Sequence, residues 1–362
     1  MSGHGNAPDD IVRTHEEGAA NERAPLLVLE PLMGFLGEQG LGAGEITATP
    51  VGEGHSNVTY LLEREDGPRV VLRRPPRGPL PPSAHDVLRE ARVLQALAGR
   101  ARVPRVWAVC DDDAVIGAPF YVMEEIEGHV VTSTVPPELD TPQERRRIGE
   151  ELVDALVEVH AVDWQAAGLE GFGKPTGYLE RQVRRFTGLW EHNRTREIPA
   201  VERVGEWLRA NLPASGPATV VHGDFRLGNV MLAPGAPARV SAIFDWEMAT
   251  IGDPLADLGY LCMMWTEGGD PDQGMFELNA VTRAEGFPSR AELVARYEER
   301  SGRSMRDQRW YTVLALWKAV VFMEGNYKRA VSGATDDPFL RSFGEGVVQL
   351  AERAEAVARG EG

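Results

Sequence analysis

Residues 220 to 232 read VVHGDFRLGNVML. Val220 and Val221 open this stretch and Val230, Met231 and Leu232 close it, two apolar runs suited to buried strands. Between them stand His222, Asp224, Arg226 and Asn229, with Gly223 and Gly228 to bend the chain. An acid and an amide five residues apart on a tight loop have an evident use in phosphoryl transfer. That chemistry requires one carboxylate to orient the attacking hydroxyl and accept its proton. It also requires an amide and a second carboxylate to hold magnesium against the phosphates. Asp224 suits the first task. Asn229 suits the second, together with Asp245, which follows an apolar strand in IFDWE.

Working outward, the chain of 362 residues is long enough for two lobes. Its 43% hydrophobic and 26% charged content is that of an ordinary globular protein. A net charge of −17 argues against nucleic-acid binding and against an anionic membrane surface. Cys110 and Cys262 lie far apart in apolar surroundings, which suits buried thiols and a cytoplasmic location. The polar, acidic N-terminus lacks an apolar signal core, and residues 1–25 are expected to be a disordered tail. Lys318 interrupts WYTVLALWKAVVF, the best candidate for a membrane span.

Residues 26–123 are expected to form a small lobe. A short helix over 26–39 leads to strands around the turn of VGEGHSN, to GPRVVLRR, and then to RVWAVC and APFYVMEEI. A helix capped by Ser83 carries Val87, Ala91, Leu94 and Ala98 at helical spacing. Residues 124–362 are expected to form a larger helical lobe. In it, Ile148, Leu152, Ala155, Leu156 and Val159 share one helix face, and the opening stretch pairs with ARVSAIFDWEM. GLEGFGKP, residues 168–175, imitates a phosphate-binding loop as far as Lys174, but Pro175 stands where a magnesium-binding hydroxyl is needed.

HGDFRLGNVML followed by IFDWEMATIGDPLADLGYL resembles the aminoglycoside phosphotransferase family of small-molecule kinases. GEGHSNVTYLL, VVLRRPP, LREARVLQAL and FYVMEEIEG agree in order, so the similarity runs from about residue 30 to 330. VLRRPPRGPLPPSAHDVLRE and VIGAPFYVMEEIEG are most similar to the branch resembling the kinase-like region of acyl-CoA dehydrogenase fusion proteins. The resemblance implies an α+β, bilobal protein-kinase-like fold: a small five-stranded antiparallel β lobe with one helix, and a larger, mainly helical lobe.

By position, the resemblance also assigns roles. Asp224 is the catalytic base, Asn229 and Asp245 hold Mg2+, and ATP is the phosphate donor. Gly52, Gly54, Ser56 and Asn57 position the nucleotide, and the backbone of Glu124 and Ile126 meets adenine. His222 and Asp257 brace the catalytic loop, and Asp253 caps the helix beginning at Pro254. The departure is on the third strand, where kinases carry lysine. Arg73 stands there with Glu90 as its helix partner, and no lysine precedes Lys174. Strand alternation sets Arg73 and Val71 on one face and Arg74 on the other.

The implied partner is a small-molecule hydroxyl acceptor. Lys174 to Leu212 carries eight basic residues against five glutamates, which favours an anionic acceptor, and the resemblance to dehydrogenase-linked kinases implies a hydroxyacyl-CoA or another anionic metabolite. An aminoglycoside O-phosphotransferase and a nucleotide-binding pseudokinase are the alternatives. Oligomeric state is not legible in the sequence.

Overall fold

A computed structural model describes residues 10–52, 57–78, 85–270, 280–334 and 338–361. The chain divides into two units. The first comprises Met1–Gly99, Val103–Glu127 and Phe244–Glu247, and the second Arg100–Arg102, Gly128–Ile243 and Met248–Gly362. A single cut at residue 123 therefore misplaces Phe244–Glu247, which includes Asp245.

The first unit opens with β1 (Ile11–Val12), α1 (His15–Ala19), β2 (Leu27–Val28) and α2 (Leu29–Glu38). Then follow β3 (Ala43–Pro50), β4 (Val58–Asp66), β5 (Val70–Arg74), α3 (Val87–Leu97), β6 (Val106–Cys110), α4 (Asp113–Ile116) and β7 (Phe120–Glu124). Strands β3-β4-β5-β7-β6, in that order, form one antiparallel sheet. Val70 and Leu72 of β5 point into a core shared with Leu32 and Leu36 of α2 and Phe120 and Val122 of β7. Side-chain alternation along a strand then sends Val71 and Arg73 to the other face.

Several details depart from expectation. The five strands are accompanied by α1, α2, α3 and α4 rather than by one helix. From Asp10 onward the expected tail is structured: β1 pairs in parallel with β2, and Arg13 reaches Glu30 at 2.9 Å and Glu45 at 3.1 Å. Polarity suggested disorder, but Ile11 and Val12 find apolar strand partners in Leu27 and Val28. Ser83 lies outside the described residues. The cap of α3 is Asp86, whose carboxylate accepts the Arg89 amide at 2.9 Å.

The second unit contains α5 (Pro142–His160), α6 (Tyr178–Asn193), α7 (Pro199–Ala210), β8 (Thr219–Val221), β9 (Val230–Leu232), β10 (Val240–Ile243) and β11 (Thr250–Gly252). It continues with α8 (Leu255–Met264), α9 (Arg290–Ser301), α10 (Gln308–Val331), α11 (Pro338–Arg341) and α12 (Phe343–Arg359). Thr141 caps α5 and Pro142 takes its first position, where no amide hydrogen is needed. Ile148, Leu152, Ala155, Leu156 and Val159 are fully buried along it. β9 pairs with β10, as the apolar pattern expects, while β8 pairs with β11, whose strand character the sequence did not show. None of the helices among the described residues is long and apolar enough to cross a membrane.

Candidate active site

Within the first unit, β5 delivers Arg73 to α3. Its Nε donates to Glu90 Oε2 at 2.9 Å and its Nη2 to Asp245 Oδ1 at 3.0 Å. Glu90 is 2% exposed, and its Oε1 accepts the Trp246 amide at 3.2 Å. Burial works against both charges, but Glu90, Tyr121 and Asp245 together raise the Arg73 pKa above its ordinary value. One guanidinium thus bridges two carboxylates, a task that suits arginine's planar fork. Arg74, on the opposite face, is 4% exposed. It is no solvated strand end.

Asp245 has φ of +64°, a left-handed backbone conformation uncommon outside glycine. Such conformations cost about 1–3 kcal/mol and cluster at functional sites. Asn57 donates to Glu90 Oε2 at 3.4 Å, and its own Oδ1 is buried without a partner among the described residues. Gly52 turns the chain with φ of +80°. Gly54 and Ser56 lie outside the described residues. Glu124 ends β7 opposite Val70, with its amide donating to Arg105 O, and Ile126 follows in the loop.

Within the second unit, β8 ends at Val221 and the loop is gathered onto one buried carboxylate. Asp257, at 1% exposure, accepts the amides of His222 at 2.7 Å and Gly223 at 2.8 Å. His160 Nε2 lies 3.2 Å from the same carboxylate, and its Nδ1 2.7 Å from the Tyr297 hydroxyl. An ionised carboxylate only accepts, so Nε2 carries the proton. Burial raises the Asp257 pKa, but the His160 hydrogen bond, the imidazoles of His160 and His222, and the Gly223 amide outweigh it and hold it below the usual value.

Gly223 has φ of +90°, and a Cβ there would stand 2.8 Å from Met248 O, so both conformation and space demand glycine. Beyond it, the Asp224 amide donates to His222 Nδ1 at 3.2 Å. That bond ties the buried imidazole to its own loop. Asn229 Nδ2 donates to Asp224 O at 2.8 Å and to Asp224 Oδ2 at 2.7 Å. Arg226 Nε adds a longer contact to Oδ2 at 3.8 Å. Asp253 accepts the Leu255 amide and the Tyr311 hydroxyl, each at 3.0 Å, with α8 starting one residue later than expected.

The Asn229 amide is fixed by its bonds to Asp224, and no donor among the described residues meets its Oδ1 or Asp245 Oδ2. Free amide and carboxylate oxygens are what a hard divalent cation takes. Each residue, within its own unit, thus offers the kind of oxygen that magnesium takes, an ion that binds few protein ligands and keeps waters and phosphates in its remaining positions. No cluster of three or more His, Cys, Asp or Glu ligands occurs among the described residues.

Sequence reasoning missed Lys318. From α10 it lines a small cavity with Tyr178, Gly223, Asp257 and Tyr260, and its ammonium sits 5.0 Å from the Phe186 ring centroid. Burial lowers its pKa to about 8, with Arg185 reinforcing the shift and Asp257 and Asp224 opposing it. A lone lysine in an apolar helix offers no signal of this neighbourhood. Tyr178 also lines a cavity of about 440 Å3 beside Lys174, Arg181, Arg184 and Arg185. Among the described residues, no acid lines that cavity. The other basic residues of the segment are mostly engaged elsewhere: Arg194 pairs with Glu202, Arg196 with Glu324 and Arg203 with Glu355.

Comparison with known proteins identifies the family. The model of the phosphotransferase enzyme family APH matches residues 47–301. Mouse acyl-CoA dehydrogenase family member 10 is 35% identical over 91% of the chain, and human family member 11 is 36% identical over 83%. The match covers only 31% and 38% of those proteins, so the chain spans about a third of their length. A crystal structure from Ralstonia eutropha, provisionally named an aminoglycoside phosphotransferase, superposes with a TM-score of 0.79 at 32% identity. It covers 91% of this chain and 98% of its own.

Proposed function

The chain belongs to the phosphotransferase enzyme family APH, and we propose on that basis that it transfers the γ-phosphate of ATP to a hydroxyl of a small anionic molecule. The observation that carries this reading is the bond from Asn229 Nδ2 to Asp224 Oδ2 at 2.7 Å. It occupies one carboxylate oxygen and leaves Oδ1 to receive the proton of the acceptor hydroxyl. The hydroxyl oxygen bonds to the γ-phosphorus as the bond to the β–γ bridging oxygen breaks, and ADP departs. Asp224 orients the hydroxyl and takes its proton late, as a positioning carboxylate in a loose transition state. Arg73, fixed by Glu90, is assigned to the phosphates, and the backbone of Glu124 and Ile126 to adenine. Magnesium, assigned to Asn229 and Asp245, neutralises phosphate charge when bound.

The acceptor's charge is argued from the cavity lined by Lys174, Arg181, Arg184 and Arg185, which would attract an anion and repel a polycationic aminoglycoside. The names of the curated relatives point to an acyl thioester, so a hydroxyacyl-CoA is the proposed acceptor class. Asp224→Asn is expected to leave ATP binding intact and to lower turnover about 10²-fold or more. Steady-state kinetics beside calorimetric ATP titration checks this, and unchanged turnover overturns the base assignment. In a panel of acceptors, hydroxyacyl-CoA esters should be phosphorylated faster than kanamycin-class compounds. The reverse order overturns the anionic-acceptor reading, while ATP binding with no acceptor turned over favours a nucleotide-binding module.

A further inference from the structure

Arg74 is a buried arginine without a carboxylate in contact among the described residues. Its Nε donates to Pro75 O at 3.0 Å, and its Nη1 donates to Leu26 O and, at 3.2 Å, to Ile116 O. A guanidinium has five N–H groups. No acceptor among the described residues meets either Nη2 hydrogen. Isolating such a cation from water is costly unless an anion compensates it. Burial, reinforced by the charge of Arg77, lowers the Arg74 pKa to about 10.

Arg74 lines an open cavity of about 760 Å3 together with His15, Arg23, Arg77 and Gly117. Arg77 is partly satisfied, donating to Ala24 O and Asp10 Oδ1, each at 2.5 Å. His15 Nε2 lies 2.8 Å from Ala114 O. Arg23 makes no ion pair or hydrogen bond among the described residues. Three arginines thus face one cavity, and no acid lines it among the described residues, with Asp10 engaged beside it. Much of the wall, including His15 and Arg23, comes from residues before 47, outside the segment the family model matches. The cavity is of a size that accommodates small metabolites.

We propose that this cavity, formed by the N-terminal segment and the end of β5, is a binding site for a small phosphate-bearing metabolite, held by Arg74, Arg77 and Arg23. Arginine's paired donors match the oxygens of a phosphate, and its neighbours add charge without adding an acid. The site lies wholly within the first unit and shares no residue with the proposed phosphotransfer machinery, although Arg74 directly follows Arg73.

The test uses inorganic pyrophosphate as the probe, without magnesium and at fixed ionic strength. Hydrogen exchange should slow in peptides covering residues 12–28 and 114–118. Calorimetry should show pyrophosphate weakened at least tenfold in Arg23→Ala combined with Arg77→Ala, with ATP affinity within twofold of the parent. Arg23→Ala alone breaks no hydrogen bond or ion pair among the described residues and should still weaken pyrophosphate about threefold, which separates ligand loss from misfolding. Three results overturn the proposal: exchange protection confined to residues 220–232, unchanged pyrophosphate affinity in both variants, or the same protection from sodium chloride.

Discussion

The Arg73 cluster and the Asp257 cluster hold their charged groups by different means. In the first, one arginine bridges two carboxylates, Glu90 and Asp245, through side-chain contacts. In the second, a single buried carboxylate collects two backbone amides and an imidazole. Side-chain bridges can exchange one partner for another without moving the backbone. Amide bonds to Asp257 fix the path of the loop itself, and with it where Asp224 points. The contrast suits an assignment in which one cluster answers to a phosphate and the other holds a constant geometry.

The comparison breaks most sharply at Asp257. Asp257→Ala leaves the His222 and Gly223 amides and the His160 ring proton unpaired in a buried place. It should cost about 3–5 kcal/mol of unfolding free energy, the scale for removing one partner of a buried charged network. Urea denaturation measures this, and a loss below 1 kcal/mol would mean the loop is held by other contacts. Arg73 supplies the next test. Arg73→Ala should weaken ATP by about 2 kcal/mol, within the range for a hydrogen bond to a charged group. Arg74→Ala should lower the melting temperature while moving ATP affinity far less. Calorimetric titration of both variants decides it, and the opposite order would refute the assignment of Arg73 to the phosphates.

The smallest effect concerns Lys318. Its folded pKa of about 8 is depressed from the ordinary 10.5, so the folded state binds the proton less readily than the unfolded state. The penalty is fully present below pH 8 and is relieved as pH rises from about 8 to 10.5. Lys318→Met should therefore stabilise the protein by about 1 kcal/mol at pH 7, discounted for the side chain's partial exposure. The gain should vanish near pH 10.5. Paired thermal melts at pH 7 and 10 check the difference, and a gain that is independent of pH would remove lysine desolvation as its cause.

What could be read in advance follows the range of each contact along the chain. Asp224 and Asn229 are five residues apart, so their spacing in HGDFRLGN already contained the bond that joins them. The facing of Arg73 followed from the two-residue period of a strand. Arg74 was legible only as pointing the other way. Its burial depends on carbonyls of Leu26 and Ile116, which lie 48 and 42 residues away in sequence. The structured segment after Asp10 was missed for a similar reason, because its apolar content is only a strand's edge and its stability comes from Leu27, Val28, Glu30 and Glu45.

The sequence by itself determined the family, the five strands of the first unit and the residue types available for phosphoryl transfer, because local spacing and alternation are properties of the chain alone. Tertiary structure decided which charges became buried and what met them. It placed Asp245 beside Arg73 across 172 residues, brought Lys318 to the cavity lined by Gly223, and enclosed Arg74 against the N-terminal segment. The physical reason is desolvation. The cost of a charge, and hence its need for a partner, is set by neighbours that no local pattern encodes.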